Sequence, residues 1–181
     1  MIAAAGAVVA IGGGVGGYAL ASNTASSTLH VHFSSSSDGS AGFDAAGDIV
    51  LTTGAAVSTT FAEADPISVE GKPAPASEPT FVTNHYAAGS PRWVIELSNG
   101  NSLWGYPPNA GLNGSDFAWA VNNGNSYVSY AAAYAGAGAG DVGVTVTAAG
   151  IVMDGDQPSA TDIISGATWD GRTLAPNHGH S

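Results

Sequence analysis

Residues 92–106 decide the fold: Arg92-Trp93-Val94-Ile95-Glu96-Leu97-Ser98-Asn99-Gly100-Asn101-Ser102-Leu103-Trp104-Gly105-Tyr106. Successive side chains of a strand point to opposite faces. Trp93, Ile95 and Leu97 therefore share one face, while Arg92, Val94 and Glu96 share the other. Asn99-Gly100 between two such runs is a strong hairpin signal, because both residue types tolerate the left-handed backbone of a tight turn. Ser102 to Tyr106 returns from that turn with Trp104 and Tyr106 on a common face, and Pro107-Pro108-Asn109-Ala110-Gly111 then breaks the chain.

The same alternation spreads outward in both directions. Towards the C-terminus, Phe117, Trp119 and Val121 alternate before a turn at Asn122-Asn123-Gly124. Val142, Val144 and Val146 form one face of a strand that runs, through a bulge, to Met153. Thr161 to Trp169 is the next strand, turning at Asp170-Gly171 into Arg172 to Leu174. Towards the N-terminus, Thr28 to Phe33 places Leu29, Val31 and Phe33 opposite His30 and His32, and Phe81 to Asn84 is a short strand. Asp48 to Thr53 and Ala56 to Phe61 read as a hairpin joined across Gly54-Ala55. Ala62 to Thr80 holds Pro66, Pro73, Pro75 and Pro79, which exclude a central strand, so it reads as a surface excursion. Tyr127 to Ala135 is alanine-rich and reads as a short helix, capped by Ser126 or Ser129 and ended by Gly136. Eight to ten short strands with regular turn signals predict an all-β chain, a two-sheet jelly-roll-like β-sandwich with at most one short helix.

Composition sets the partners. The chain has 181 residues and no cysteine, so hydrophobic burial must supply its stability. Its only cations are Lys72, Arg92 and Arg172, against fourteen carboxylates, for a net charge of −11. Nucleic acid and anionic membrane surfaces, which need clustered Lys and Arg, are excluded as partners. Neutral ligands, cations and proteins remain.

Ile2 to Ile11 is a small apolar run, followed by Gly12-Gly13-Gly14-Val15-Gly16-Gly17 and an Ala19-x-Ala21 site. It reads as a signal peptide, though without the basic n-region that a start further upstream would supply. A membrane anchor is the competing reading, and five glycines in its second half disfavour it. Gly12, Gly14 and Gly17 also match the dinucleotide fingerprint, but that motif must open a helix, and Ser22 to Ser27 carries no helical period. The expected organisation is a signal peptide at 1–21, a linker at 22–27, one sandwich domain at 28–175 with a proline-rich excursion at 62–80, and a flexible tail at 176–181. Export places the mature protein outside the cell.

From Ala87 onward four features occur together: Gly89-Ser90-Pro91-Arg92-Trp93 opening an apolar strand, the Asn-Gly hairpin, Asp154-Gly155-Asp156-Gln157, and a terminal strand ending in Asp170-Gly171. They resemble a group of exported, mostly uncharacterised actinobacterial proteins, thought to be jelly-roll sandwiches akin to galactose-binding and carbohydrate-binding modules. The resemblance covers about half the chain and implies the sandwich fold and sugar binding. Members often carry cysteines between strands, which this chain lacks.

Trp104 and Tyr106, beside a loop bearing Asn109, Asn113 and Asp116, offer flat rings for stacking and polar groups for sugar hydroxyls; the alternative is that both rings fill the core. Asp154, Asp156 and Asp162 offer hard oxygens for a structural Ca²⁺, or else form an ordinary turn. His30 with His32, and His178 with His180, form two-nitrogen pairs, short of the three ligands of a catalytic zinc. No cofactor is required. Catalysis has no G-x-S-x-G, no H-E-x-x-H and no cysteine; Glu63, Glu70, Glu96 and Asp116 hold candidate carboxylate pairs for glycoside hydrolysis, with nothing in the spacing to choose one. The expected function is non-catalytic binding of a neutral glycan or cell-envelope polymer. A cell-surface structural or protein-interaction domain is the alternative, and a hydrolase the third reading.

Overall fold

A computed structural model describes residues 28–56, 59–114 and 116–176. The expected leader and linker, and residues 177–181 of the expected tail with His178 and His180, lie outside the described residues. The fold is all-β. Its strands are β1 (Thr28–Ser35), β2 (Ser40–Phe43), β3 (Ile49–Thr52), β4 (Phe61–Pro66), β5 (Thr80–Thr83), β6 (Arg92–Leu97), β7 (Ser102–Tyr106), β8 (Ala118–Val121), β9 (Val146–Asp154), β10 (Thr161–Trp169) and β11 (Arg172–Ala175), with one helix, α1 (Tyr130–Gly136).

The strands form one hydrogen-bonded path in the order β2-β3-β10-β11-β1-β4-β9-β6-β7-β8, and β5 pairs with β10. β1 joins the two halves by changing partner along its length. Thr28 to His30 run parallel to β11, whereas Val31 to Ser35 run antiparallel to β4. Strands β10 and β6 are five steps apart on this path, roughly 24 Å in a flat sheet. Yet the rings of Trp93 on β6 and Trp169 on β10 lie 5.6 Å apart, so the ribbon folds over itself. The main core has Trp93, Trp119, Leu51, Ile95, Leu103 and Ile151 fully buried at its heart, and a second, smaller cluster is centred on Tyr106, Ala118 and Ala120.

The hairpin at Asn99-Gly100 forms as expected: Leu97 N–H donates to Asn101 O (2.9 Å) and Gly100 adopts φ +84°. Ser129 caps α1, its hydroxyl accepting from Ala132 N–H at 3.4 Å. Three expectations fail. The hairpin expected across Gly54-Ala55 is not found: β3 pairs with β2 and β10 instead, and Thr59 and Thr60 N–H both donate to Ala56 O. β4 occupies the start of the expected excursion as a central strand; its Pro66 stands at the strand end, where a missing N–H is least costly. Val142 is fully exposed in a turn, and the strand it was expected to open begins at Val146. No helix among the described residues is long and apolar enough to cross a membrane.

Candidate functional site

The sheet β1-β4-β9-β6-β7-β8 turns Ala62, Ala64, Ile151, Trp93, Ile95, Leu103 and Trp119 inward. Strand alternation then directs the intervening residues outward. The register sets them in rows: His32, Asp65, Gly150, Val94, Trp104 and Ala120 form one, and Ser34, Glu63, Val152, Arg92, Tyr106 and Ala118 the next. This outer face brings together residues from six strands.

An acidic pair stands at one end. Glu63 and Asp65 lean over Gly150, where a Cβ would overlap both carboxylates, so only glycine admits this arrangement. With Glu70, Pro66 and Ala148 they line a cavity of about 180 Å³. His32 Nδ1 lies 3.8 Å from Asp65 Oδ2, and Ser34 Oγ donates to Glu63 at 3.4 Å. Burial, then the charge of Glu63 and a hydrogen bond with it, then Glu70, raise the Asp65 carboxyl to about 7. Two carboxylates this close cannot both ionise readily.

Aromatic side chains stand at the other end. Trp104 is half-buried, its Nε1–H donating to Ser102 Oγ (2.8 Å), with the Arg92 guanidinium 4.8 Å from the ring centroid. Tyr106 is buried; its hydroxyl donates to Asn123 Oδ1 (2.9 Å) and its ring meets Tyr127 edge to face at 5.6 Å. Tyr86, Trp104 and Tyr127 pack, partly exposed, around Tyr106, Ala118 and Ala120. Burial, followed by the neighbouring Tyr106 and Tyr127, lifts the Tyr86 hydroxyl to about 12, so it stays a neutral donor. Trp104 and Tyr106 share a face as expected, but Tyr106 is covered, and Trp104 alone offers ring surface beside the polar row.

Between these ends Arg92 is held almost out of water. Nη1 donates to Gly89 O (2.8 Å) and Ser90 Oγ (2.9 Å), Nη2 pairs with Asp154, and Ser90 Oγ donates to Asp154 Oδ1 (3.1 Å). Gln157 Nε2 bonds Ser90 O at 2.6 Å and closes the same loop.

The remaining expected binding residues do not join this face. Asn109 lies in a 3-10 turn over Pro108–Ala110 and lines an apolar cavity of about 290 Å³ with Phe81, Val82 and Pro107. Asn113 and Asp116 line another cavity, of about 310 Å³, with Glu78 and Tyr130, and Asn113 donates to Phe117 O (3.1 Å). The three carboxylates expected for Ca²⁺ are also separated by role: Asp154 is engaged by Arg92 and Ser90, Asp156 is exposed in the following turn, and Asp162 is buried on β10. Among the described residues no group of three or more His, Asp or Glu side chains is placed to hold a metal ion. His30 and His32 are both exposed on β1.

No family model, no curated protein and no solved structure matches the chain. Function has to be argued from the outer face itself. Asp65, Gly150, Tyr86 and Tyr127 are the members that the sequence did not single out. The alternation of Ala62-Glu63-Ala64-Asp65 was the available signal for the acidic pair.

Proposed function

We propose that the outer face of β1-β4-β9-β6-β7-β8 binds a neutral glycan outside the cell, without a resident cofactor. The observation that carries this reading is the row His32-Asp65-Gly150-Val94-Trp104, which sets hydrogen-bonding groups and one accessible indole on a single sheet face. A saccharide presents flat apolar ring faces and a belt of hydroxyls. Trp104 suits the first, whereas Asp65, Glu63 and His32 suit the second. The row crosses four strand spacings, roughly 19 Å, so an oligomer fits it better than a single sugar. Gly150 keeps the middle of the row low, and Val94 supplies an apolar floor. The resemblance to carbohydrate-binding sandwiches supports the same reading.

Affinity electrophoresis of the full chain in neutral β-glucan, xylan or mannan gels tests it. The parent should be retarded by at least one polymer. Trp104→Ala should lose that retardation while melting within a few degrees of the parent, because a lost stacking hot spot costs binding on the order of 1 to 3 kcal/mol. No retardation by any neutral polymer overturns the reading. A second reading, a glycoside hydrolase, is favoured by one observation: the Asp65 carboxyl, raised to about 7, stands beside a second carboxyl, that of Glu63, and a raised carboxyl can serve as a general acid. Release of reducing ends from the retained polymer, lost in Asp65→Asn, would decide for it.

A further inference from the structure

The link between β5 and β6 carries Tyr86 to the aromatic end of the outer face, and both ends of this link are fastened. At one end Asn84 N–H donates to Ile163 O (3.2 Å) and Ile163 N–H donates to Asn84 Oδ1 (2.8 Å). At the other, Ala87 and Ser90 exchange backbone bonds of 3.1 and 3.0 Å around a turn at Ala88 and Gly89, both with positive φ. Gln157 Nε2 donates to the carbonyls of Ala87 and Ser90, and Arg92 Nη1 to that of Gly89. Between these anchors lie His85 and Tyr86, where Thr83 Oγ1 donates to His85 O (2.7 Å) and accepts from His85 N–H (3.3 Å).

The register that pairs Thr83 with Ile164 brings His85, two residues on, opposite Asp162. Asp162 is fully buried, and neither of its carboxylate oxygens has a hydrogen bond among the described residues. Its partner on β3 is the buried Leu51, whereas His85 Nδ1, 3.3 Å from Asp162 Oδ1, belongs to a half-exposed ring. Among the described residues His85 is the one titratable group that bears on Asp162; burial raises the carboxyl and His85 pulls it the other way.

We propose that the His85 ring is a cover over Asp162, and that the two-residue link His85–Tyr86 swings outward when Asp162 loses its proton. A neutral carboxyl can stay dry, but a carboxylate without a donor is costly to leave so. Strand pairing holds β10 to β3 and β5, so water enters where the half-exposed ring stands. Tyr86 follows His85 in the chain and packs with Trp104 and Tyr127 around Tyr106. The swing therefore loosens the aromatic end of the outer face. Arg92, Tyr106 and Tyr127 face Tyr86, but Arg92 keeps its charge, and burial lifts the hydroxyls of Tyr86 and Tyr106. The trigger is Asp162, and the switch holds whatever the outer face binds. Once open, Asp162 is hydrated and ionises in the ordinary range, near about 4; closed, it keeps its proton to higher pH. Between the two values each pH unit favours opening about tenfold.

Hydrogen exchange of the isotope-labelled full chain from about pH 4 to 8, corrected for the intrinsic rate of each amide, measures the opening. Protection at His85 should fall about tenfold per pH unit over part of that range, and the Tyr86 ring signals should move with it. Asn84, Ala87 and the core amides of Ile95 and Leu103 should lose less. Asp162→Asn should make the His85 protection independent of pH. His85→Gln keeps a cover of similar size that does not titrate, so the fall should persist, moved to higher pH. His85→Ala removes the cover, lets water reach Asp162 directly, and should abolish the fall; this pair decides the matter if Asp162→Asn does not fold. The switch is overturned if the parent shows no fall, if Asp162→Asn or His85→Ala keeps it, if His85→Gln loses it, or if the core amides lose protection in step with His85.

Discussion

Asp154 and Asp162 each stand beside a basic side chain in a largely dry place, yet their surroundings differ. Asp154 faces Arg92, and the pair is tied down by Ser90, by the Gly89 carbonyl and by the stacked ring of Trp104. Asp162 points into the core from β10, opposite Leu51, with 0% exposure; His85 Nδ1 is 3.3 Å away, but neither carboxylate oxygen finds a hydrogen bond among the described residues. Desolvation dominates there and raises the Asp162 carboxyl, with the nearby His85 pulling the other way. A buried charge is tolerable when its lone pairs are satisfied and costly when they are not. The first arrangement fixes the loop carrying Tyr86 and Ser90 to β9, under the aromatic end of the outer face. The second stores a proton-dependent penalty in the core.

The largest expected effect comes from breaking the Arg92–Asp154 pair. Arg92→Leu leaves Asp154 and Ser90 without their donor and removes the cation over Trp104, at a cost of about 3–5 kcal/mol. Urea denaturation of parent and variant measures it. A loss below about 1 kcal/mol, the scale of an exposed surface pair, would erase the contrast with Asp162.

Such polar networks were the least legible part of the molecule. The hairpin of β6 and β7, the strand β10 and the cap at Ser129 follow from local alternation and turn chemistry, and each stands where the sequence put it. β4 was missed because Pro66 and two acids made a central strand resemble a loop; Ala62 and Ala64, which alternate with those acids, are small, but they are fully buried. β2 was missed because Ser40-Ala41-Gly42-Phe43 carries little strand preference, so its true partner β3 was joined to the wrong segment. The site is harder still. Asp65, Gly150 and Trp104 share a row only through the register of four strands. Pairing between distant segments is a property of the whole fold, which local periodicity does not carry.

The next effect has the opposite sign. A carboxyl whose folded value is raised binds its proton more tightly when folded. Its stabilising contribution is complete below the unfolded value near 4 and is lost as pH rises through the folded one. Asp65, at about 7, and Asp162 both act in this sense, so the protein should lose thermal stability between about pH 4 and 7 where only these groups are considered. Asp162→Asn should match the parent near pH 3 and exceed it at pH 8 by about 1–3 kcal/mol, the cost of an unsatisfied buried polar group. Thermal melts across that range check both statements. A variant less stable than the parent at pH 8 would mean that the Asp162 carboxylate is satisfied after all, as Asp154 is.

The smallest effect isolates the partner. His85 is half-exposed, with 54% of its side chain accessible, so its attraction for Asp162 is screened and worth on the order of 0.5 kcal/mol. Replacing it by glutamine removes a charge that opposes the upward shift of Asp162. The Asp162 carboxyl should then rise further, and the pH at which the core releases its proton should move up with it. His85→Gln should therefore differ little from the parent near pH 3, where Asp162 is protonated in both proteins. The difference should appear as pH rises and the Asp162 carboxyl begins to ionise. In Arg92→Leu, by contrast, the deficit should persist across the neutral range, because a guanidinium keeps its charge throughout. Superimposable stability curves for parent and His85→Gln would show that the two side chains are neighbours without coupling. The penalty at Asp162 would then belong to burial alone.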